Sequence, residues 1–341
     1  MRGVVKIINP YDAGVFPEGD VILLSSNENP YEPSEEVKKA YLESLQKINR
    51  YPDTSYPALK KAISEYLNVE TENIAVGCGS SELISRAFDV LVEELDKVAI
   101  PMPSYSLYLT YAMLRNSSLL LPIFKNYALS SDFFEDEKPK LSIICSPNNP
   151  TGNVVDRKIV ERIAESSEYI LIDEAYAEFT KKNLLDLIHE FENVIILRSF
   201  SKFFGLAGMR VGYAIARKEI VEALEKVRLP FAIPTPSVAT AISAIRSLDY
   251  YIQLREKIIE ERERVFSELK KLGFEVYPSE TNFLLFKAKK AVFEKFLENK
   301  IVVRYLNGLI GLEGEFIRAT IGKKEENDKL LRILESSIAS A

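Results

Sequence analysis

The sequence predicts an α/β fold built on a mostly parallel, mixed sheet with helices on both faces. Short apolar segments rich in β-branched residues recur between residues 74 and 216, and strands buried on both faces of a parallel sheet have this character. Amphipathic helical segments lie between them, which is the alternation typical of such sheets. Beyond residue 273 the strands and helices shorten, which predicts a second, smaller α+β unit.

The first 33 residues are rich in Pro, Asn and Gly and are predicted to form an N-terminal arm with one short strand at Val21–Leu24. Ser34 is a good N-cap for a first helix, which ends near Tyr51 because Pro52 follows. The remaining chain divides into a large domain at 34–245 and a small domain at 246–341.

In the large domain we predict strands and helices from apolar runs and helical periodicity. The strands are Ile74–Val76, Val98–Ile100, Leu141–Cys145, Tyr169–Ile172, Val194–Leu197 and Val211–Ala216, and the helices include Ser81–Leu95, Tyr105–Leu114 and Asp156–Ser166. A continuous helical pattern runs from about Ser237 to Lys271. The small domain is predicted to hold strands Glu275–Tyr277, Asn282–Phe286, Ile301–Arg304 and Phe316–Thr320, with helices Ala291–Glu298 and Glu325–Ile338.

Composition argues against several functions. The 341 residues carry a net charge of −6 without a basic stripe, so we expect no nucleic-acid partner. A serine-histidine-carboxylate hydrolase would have to use His189, the one histidine, which we place on a helix surface. Cys78 and Cys145 lie in apolar contexts and are expected to be buried free thiols rather than a disulfide or a metal site. No apolar run approaches about 18 residues, so we expect a cytoplasmic protein without a membrane partner.

Four polar clusters directly follow predicted strands, and this shared placement indicates a site. Ligands of open α/β sheets bind beyond the carboxyl ends of the strands. Lys202 follows one strand on a turn, close in sequence to two hydroxyls and a guanidinium that suit a phosphate group. An isolated lysine is usually solvated, but this combination fits a lysine that binds an aldehyde cofactor covalently. The clusters are Gly77–Glu82, Ser146–Gly152, Asp173–Tyr176 and Ser199–Lys202 with Arg210.

Together the clusters predict a pyridoxal 5'-phosphate site. Amides near Gly79, Ser80 and Ser81 open a helix and suit a phosphate, together with Ser199, Ser201 and Arg210. Asp173 would keep the cofactor's ring nitrogen protonated, and Tyr176 and Asn149 would reach polar ring substituents. Lys202, Asp173 and Tyr176 are therefore the predicted catalytic residues, with Lys202 as general base once released from the cofactor.

Over nearly its whole length the chain resembles the fold-type I pyridoxal-phosphate aminotransferases, and within them the histidinol-phosphate aminotransferases. Superfamily motifs are Asn149-Pro150-Thr151-Gly152, Asp173 with Tyr176, Lys202 and Arg210. Closer motifs are Pro10-Tyr11-Asp12-Ala13-Gly14, Ser26-Asn27-Glu28-Asn29-Pro30, Arg50-Tyr51-Pro52-Asp53, Pro103-Ser104-Tyr105, Thr281-Asn282-Phe283 and Phe316-Ile317-Arg318-Ala319-Thr320-Ile321-Gly322.

The resemblance implies transamination between histidinol phosphate and 2-oxoglutarate, giving imidazole-acetol phosphate and glutamate in histidine biosynthesis. It also implies a homodimer with a shared active site, in which Tyr51 reaches the cofactor phosphate of the neighbouring subunit. Tyr105 would stack on the cofactor ring. Substrate binding is assigned to Tyr11, Asn29, Arg304 and Arg318.

Other functions compete with this one. Threonine-phosphate decarboxylases and broad aromatic-amino-acid aminotransferases share many of these motifs, although Ser201 and Ala207 favour the aminotransferase over the decarboxylase. A DNA-binding regulator and a catalytically inactive scaffold are disfavoured by the acidic charge and by the presence of Lys202, Asp173 and Arg210. Departures from the family pattern at Glu32, Ser81 and Ala232 bear on substrate choice.

Overall fold

The computed structural model describes residues 3–8, 10, 18–125 and 128–339, without the side chain of residue 339. Its strands are β1 Ile22–Leu23, β2 Ile74–Gly77, β3 Lys97–Ala99, β4 Ser118–Leu120, β5 Leu141–Cys145, β6 Tyr169–Asp173, β7 Val194–Ser199, β8 Gly212–Ile215, β9 Phe283–Lys287, β10 Ile301–Val302, β11 Arg304–Leu309 and β12 Leu312–Thr320. Its α-helices are α1 Glu35–Ser44, α2 Pro57–Leu67, α3 Ser80–Leu91, α4 Ser106–Leu114, α5 Asp132–Glu137, α6 Arg157–Ser166, α7 Leu187–Glu190, α8 Lys218–Lys226, α9 Thr235–Arg246, α10 Leu248–Lys271, α11 Lys290–Glu298 and α12 Lys324–Ala339.

The large sheet has seven strands in the order β2-β8-β7-β6-β5-β3-β4. Strands β7, β6, β5, β3 and β4 pair in parallel, and β8 is antiparallel to both of its neighbours. The predicted mixed, mostly parallel sheet is therefore present. Because β2 and β7 are both antiparallel to β8, the carboxyl ends of β2, β5, β6 and β7 all reach the same edge.

Two hydrophobic clusters cover the two faces of this sheet. Successive strand residues alternate between them, because side chains of a strand point to opposite faces in turn. Ile143, Leu171 and Ile195 belong to the cluster under α3, α4 and α8. Their next neighbours in the chain belong to the larger cluster, which extends under α2, α6, α9 and α10. Because both faces of the sheet are buried, polar and apolar residues do not alternate along these strands.

The C-terminal part contains a three-stranded antiparallel sheet in the order β11-β12-β9. The N-terminal segment joins it: β1 pairs in parallel with β10, and the amide of Thr320 donates to the carbonyl of Leu24 at 2.8 Å. Residues 22–27 therefore lie against β10 and the last residue of β12.

Most predicted elements of the large sheet are confirmed to within a few residues, but several predictions were wrong. The helix predicted from Ser237 to Lys271 is two helices, α9 and α10, which break at Ser247 where its hydroxyl accepts from Ser34 at 3.2 Å. Glu275–Tyr277 forms only an isolated bridge at Val276. Strand β4 and helices α2, α5 and α8 were missed, and the predicted strand Ile301–Arg304 is β10 followed by the first residue of β11.

The two cysteines differ from each other in burial. Both are free thiols, but only Cys145 is buried, so the prediction was wrong for the half-buried Cys78. His189 is exposed on α7 as predicted. Among the described residues, no helix has the length and apolar character that a membrane span requires.

Candidate active site

A cavity of about 680 Å³ lies where β5, β6 and β7 of the large sheet end. Residues of β11 and β12 form the wall opposite the sheet, so the cavity separates the two parts of the chain. It brings together most of the residues predicted from sequence. Those lining it are Ser80, Ser81, Tyr105, Asn149, Asp173, Tyr176, Ser199, Ser201, Lys202, Arg210, Arg304 and Arg318.

Strand register explains why these residues meet. Gly212 of β8 lies opposite Gly77 on one side and Ser199 on the other. Cys145 lies opposite Asp173 across β5 and β6. The residues that end the strands therefore form a row, and the loops that follow them reach into one space, as expected for an open α/β sheet.

Lys202 lies on the turn after β7, with its half-buried side chain directed into the cavity. Its Nζ donates to the carbonyl of Ser26 at 2.8 Å and lies 6.0 Å from the centre of the Tyr176 ring. Burial lowers the pKa of Lys202 to about 8, and the nearby guanidiniums of Arg318 and Arg210 act in the same direction. A lowered pKa raises the fraction of neutral amine, which is the nucleophilic form.

Asp173 ends β6 and is only 4% exposed. Burial raises the pKa of its carboxyl, whereas hydrogen bonds from the protein oppose that rise. The hydroxyl of Tyr108 donates to Oδ2 at 2.6 Å, and the amide of Ala175 donates to Oδ1 at 3.0 Å. A carboxylate in this position suits a cationic partner, such as a protonated pyridine nitrogen.

The first cationic region of the cavity is the turn between β2 and α3. Gly79 has φ +80° and precedes the first residue of the helix, whose unpaired amides attract anions. Arg210 completes this turn: its Nη2 donates to the hydroxyl of Ser81 at 3.3 Å and its Nη1 to that of Ser201 at 3.4 Å. We call Gly79, Ser80, Ser81, Ser201 and Arg210 the phosphate cup.

Two glycines permit close approaches at the phosphate cup, Gly79 to a side chain and Gly212 to the backbone. A Cβ on Gly79 would lie 2.5 Å from Nη2 of Arg210, and a Cβ on Gly212 would lie 2.3 Å from the amide nitrogen of Ser80. Helix amides, hydroxyls and a guanidinium thus converge on one small volume. Together with the Lys202 amine and the Asp173 carboxylate, this donor set fits the phosphate, the aldehyde and the ring nitrogen of pyridoxal phosphate.

The second cationic region is a pair of arginines on the small sheet. Arg304 of β11 and Arg318 of β12 are direct cross-strand partners. Arg318 donates through Nη2 to the carbonyl of Ser25 at 2.6 Å and through Nη1 to Oδ1 of Asn149. Like charges placed directly opposite each other destabilise a sheet, so this arginine pair indicates a site for an anion.

Tyr176 is held by a residue of the N-terminal segment. The amide of the Asn27 side chain donates to the Tyr176 hydroxyl at 2.8 Å. Asn27 itself is buried, with a φ of 54°, and its backbone amide donates to the hydroxyl of Thr320 at 2.9 Å. Residues 25–28 therefore form a third wall of the cavity, next to Lys202 and Arg318.

Three predicted residues lie elsewhere or outside the described chain. Asn29 does not line the cavity; its side chain donates to the carbonyl of Phe203 at 3.0 Å and accepts from the amide of Tyr31. Tyr51 is 78% exposed and stacks on Phe231 with ring centres 4.0 Å apart. Tyr11 lies outside the described residues.

Sequence reasoning missed Tyr108, Asn27 and Ser26 as parts of the cavity wall. Tyr108 lies one helical turn beyond Tyr105, so the shared helix face was a usable signal. Asn27 and Ser26 belong to a quoted family motif, but their places in the wall depend on contacts with Thr320 and Lys202, which are far away in the chain. Among the described residues, no cluster of His, Cys, Asp and Glu could hold a metal ion.

The family model described as aminotransferase class I and II matches residues 19–334. The chain belongs to this aminotransferase family. Histidinol-phosphate aminotransferase 2 of Archaeoglobus fulgidus is 56% identical over 340 residues, which cover 98% of this chain and 99% of the relative. The predicted family and enzyme class are thereby confirmed.

Solved aminotransferase structures confirm the fold class. The histidinol-phosphate aminotransferase of Clostridium acetobutylicum superposes with a TM-score of 0.87 at 28% identity, covering 94% of this chain and 100% of that one. The enzyme of the same name from Sinorhizobium meliloti, solved in complex with pyridoxal-5'-phosphate, superposes with a TM-score of 0.86 at 25% identity, covering 94% and 91%.

Proposed function

We propose that this aminotransferase interconverts histidinol phosphate and 2-oxoglutarate with imidazole-acetol phosphate and glutamate, using pyridoxal phosphate, in the cytoplasmic synthesis of histidine. One observation carries the proposal: a single cavity holds the Lys202 amine, the Asp173 carboxylate and two separate cationic regions. One cationic region serves the cofactor, and the other serves the substrate. The relatives' activity supports the choice of substrates.

The phosphate cup would hold the cofactor phosphate, with Ser199 supporting the loop because its hydroxyl accepts from the amide of Ser201 at 3.1 Å. Asp173 would bind the ring nitrogen, Tyr176 and Asn149 would bind ring substituents, and Tyr105 would cover a ring face. When bound, the cofactor supplies an aldehyde that takes up amino groups and a ring that withdraws electrons.

Lys202 would bind the cofactor through Nζ and, once released, move the proton of the reacting carbon. With a pKa of about 8 its amine is partly neutral near neutral pH, as a general base requires. Asp173 keeps a negative charge beside the ring nitrogen. Burial of Asp173 strengthens the electrostatic effect of its carboxylate.

The arginine pair would bind the anion that both substrates carry away from the reacting carbon. Glutamate and 2-oxoglutarate have carboxylates, and histidinol phosphate has a phosphate. A forked guanidinium binds either anion through two hydrogen bonds. Arg318 would serve both half-reactions, and Arg304 would add a contact to the phosphate, which has more acceptor oxygens than a carboxylate.

We further propose that the active enzyme is a homodimer in which Tyr51 completes the partner's cofactor site. Support comes from the exposed aromatic stack of Tyr51 on Phe231, next to Leu229, which is 70% exposed. Exposed apolar surface of this kind is typical of protein interfaces. Asn29 and Tyr11 remain predicted substrate-site residues, and Asn29 supports the site through its hydrogen bond to the carbonyl of Phe203.

The test follows the absorbance of the bound cofactor in the purified protein. Histidinol phosphate should shift the cofactor band, and 2-oxoglutarate should then restore it with stoichiometric release of glutamate. A protein that ignores histidinol phosphate but releases carbon dioxide from threonine phosphate would instead be a decarboxylase. Equal kcat/KM for histidinol phosphate and aromatic amino acids would indicate a broad aminotransferase.

Lys202→Ala is the matched variant for this test. We expect turnover to fall by at least about 10³-fold, because the nucleophile and the general base are lost together. Thermal unfolding should show an intact fold, since the Lys202 amine makes one hydrogen bond, to the Ser26 carbonyl. Wild-type turnover in Lys202→Ala would refute the assignment of the catalytic lysine.

A further inference from the structure

Tyr108 contacts Asp173 within the wall of the cavity. It lies on α4 with no exposed surface, and its hydroxyl donates to Oδ2 of Asp173 at 2.6 Å. The other carboxylate oxygen accepts from the amide of Ala175 at 3.0 Å. Each oxygen of Asp173 therefore has one fixed donor from the protein, and the carboxylate plane is set before any ligand binds.

The same ring supports a second predicted cofactor residue. Tyr108 and Tyr105 pack edge to face, with ring centres 5.5 Å apart and planes at 88°. This arrangement is favourable for aromatic pairs. Tyr105 precedes α4 and lines the cavity, so the orientation of its ring depends on the helix turn that contains Tyr108.

The other groups that face Asp173 cannot replace this hydroxyl. Cys145 is buried opposite Asp173 on β5, and burial raises the pKa of its thiol, which donates to the carbonyl of Pro147 at 3.4 Å. Glu174 adds a negative charge but is paired with Arg198 at 2.8 Å. Lys202 contributes a positive charge across the cavity. The phenol of Tyr108 is thus the side-chain hydroxyl that contacts the carboxylate.

We propose that Tyr108 is a positioning residue of the cofactor site, which fixes the Asp173 carboxylate through its hydroxyl and the Tyr105 ring through its edge. The proposal rests on the proposed function, because it assigns Asp173 to the ring nitrogen. Without the hydroxyl, a buried carboxylate loses a charge-assisted hydrogen bond and protonates more readily. A protonated Asp173 holds the ring nitrogen less firmly.

The test is Tyr108→Phe in the full-length protein, which deletes the hydroxyl and keeps the ring. We expect the dissociation constant of pyridoxal phosphate to rise by about tenfold. The acid limb of the kcat profile should move to higher pH, since Asp173 must then lose its proton against a higher pKa. The KM for glutamate should stay within about twofold, because the arginine pair is untouched.

Tyr56→Phe is the matched control. Tyr56 is also buried, and its hydroxyl accepts from the amide of Ile233 at 2.9 Å, outside the cavity. This variant should unfold at a lower temperature but bind the cofactor like the wild type. A second check is Tyr108→Phe on an Asp173→Asn background, where the tenfold effect on cofactor affinity should shrink to within about twofold.

Wild-type cofactor affinity together with an unmoved acid limb in Tyr108→Phe would overturn the proposal. A full tenfold effect on the Asp173→Asn background would overturn it too, because the hydroxyl would then act through another group. Failure of the proposed function has a different signature. Wild-type protein that binds pyridoxal phosphate but ignores histidinol phosphate refutes the substrate assignment alone, and the affinity comparison still decides the role of Tyr108.

Discussion

The phosphate cup and the arginine pair both attract anions, but they are built differently. The phosphate cup consists of helix amides, hydroxyls and one guanidinium around Gly79, whose positive φ favours glycine and whose Cβ position lies against the Arg210 side chain. The arginine pair consists of two long side chains, Arg304 and Arg318, on neighbouring strands. The first region is anchored on the fixed backbone of a helix end, whereas the second consists of two long side chains.

This difference matches the two tasks of a transaminase. A cofactor phosphate stays in place through the whole cycle, so a rigid site loses nothing by accepting one anion in one geometry. In the proposed function, the second region would accept a carboxylate in one half-reaction and a phosphate in the other, which a side-chain fork can do. One arginine of each region, Arg210 of the phosphate cup and Arg318 of the arginine pair, lowers the pKa of Lys202.

The largest effect is expected for Arg318→Gln. Losing a desolvated, forked charge should lower kcat/KM for both glutamate and histidinol phosphate by about 10²–10³-fold. Cofactor affinity, measured by absorbance titration, should fall by less than kcat/KM, because Arg318 reaches the proposed cofactor residues through Asn149. Arg304→Gln is the companion variant, with a smaller loss that is confined to histidinol phosphate. Equal losses for both substrates in Arg304→Gln would contradict the division of roles between the two arginines.

A smaller, opposite pattern is expected for Gly79→Ala. The positive φ costs about 1–3 kcal/mol for a non-glycine residue, and the new Cβ would displace the Arg210 guanidinium. We expect cofactor affinity to fall by about 10–100-fold, with substrate KM values unchanged at saturating cofactor. Gly273→Ala is the control, because Gly273 has φ +83° but open space around it. It should lose stability and keep full cofactor affinity.

The smallest effect is a pH shift. Because the pKa of Lys202 is lowered to about 8 and its neutral form is the nucleophile, the rate of covalent cofactor capture should rise with pH through about 8. Arg318→Gln removes a nearby positive charge, so the midpoint should move to higher pH. Arg210→Gln should move it less, since Arg318 has the larger influence. Stopped-flow absorbance measures both, and a midpoint that stays in place would show that burial alone sets the pKa.

Several parts of the site could be predicted because they follow local rules. Apolar runs located β5, β6 and β7, and the polar residues directly after them had to meet at one edge of a parallel sheet. The glycine before α3 marked an anion-binding turn. Lys202 and Asp173 were recognised by their position after strands, and the family resemblance added Arg304 and Arg318.

Other parts could not be predicted, because long-range contacts determine them. The break at Ser247 depends on packing against the first helix, and helical periodicity alone continues through it. The position of Asn27 beside Tyr176 is determined by contacts of residues 22–27 with β10 and β12, which are far away in the chain. Tyr108 had the pattern of a core residue of α4, and only the packed chain shows that its hydroxyl donates to Asp173.

The sequence by itself thus determined the fold class and the family, and it identified Lys202 and the residues of the phosphate cup as candidate site residues, because each follows a predicted strand or belongs to a short motif. Tertiary structure alone decided which arginines face each other, what supports Asp173 and Tyr176, and the lowered pKa of Lys202. The physical reason is that burial and charge separation are properties of the packed chain. The desolvation of a group and its distance from other charges are set only when distant segments pack together.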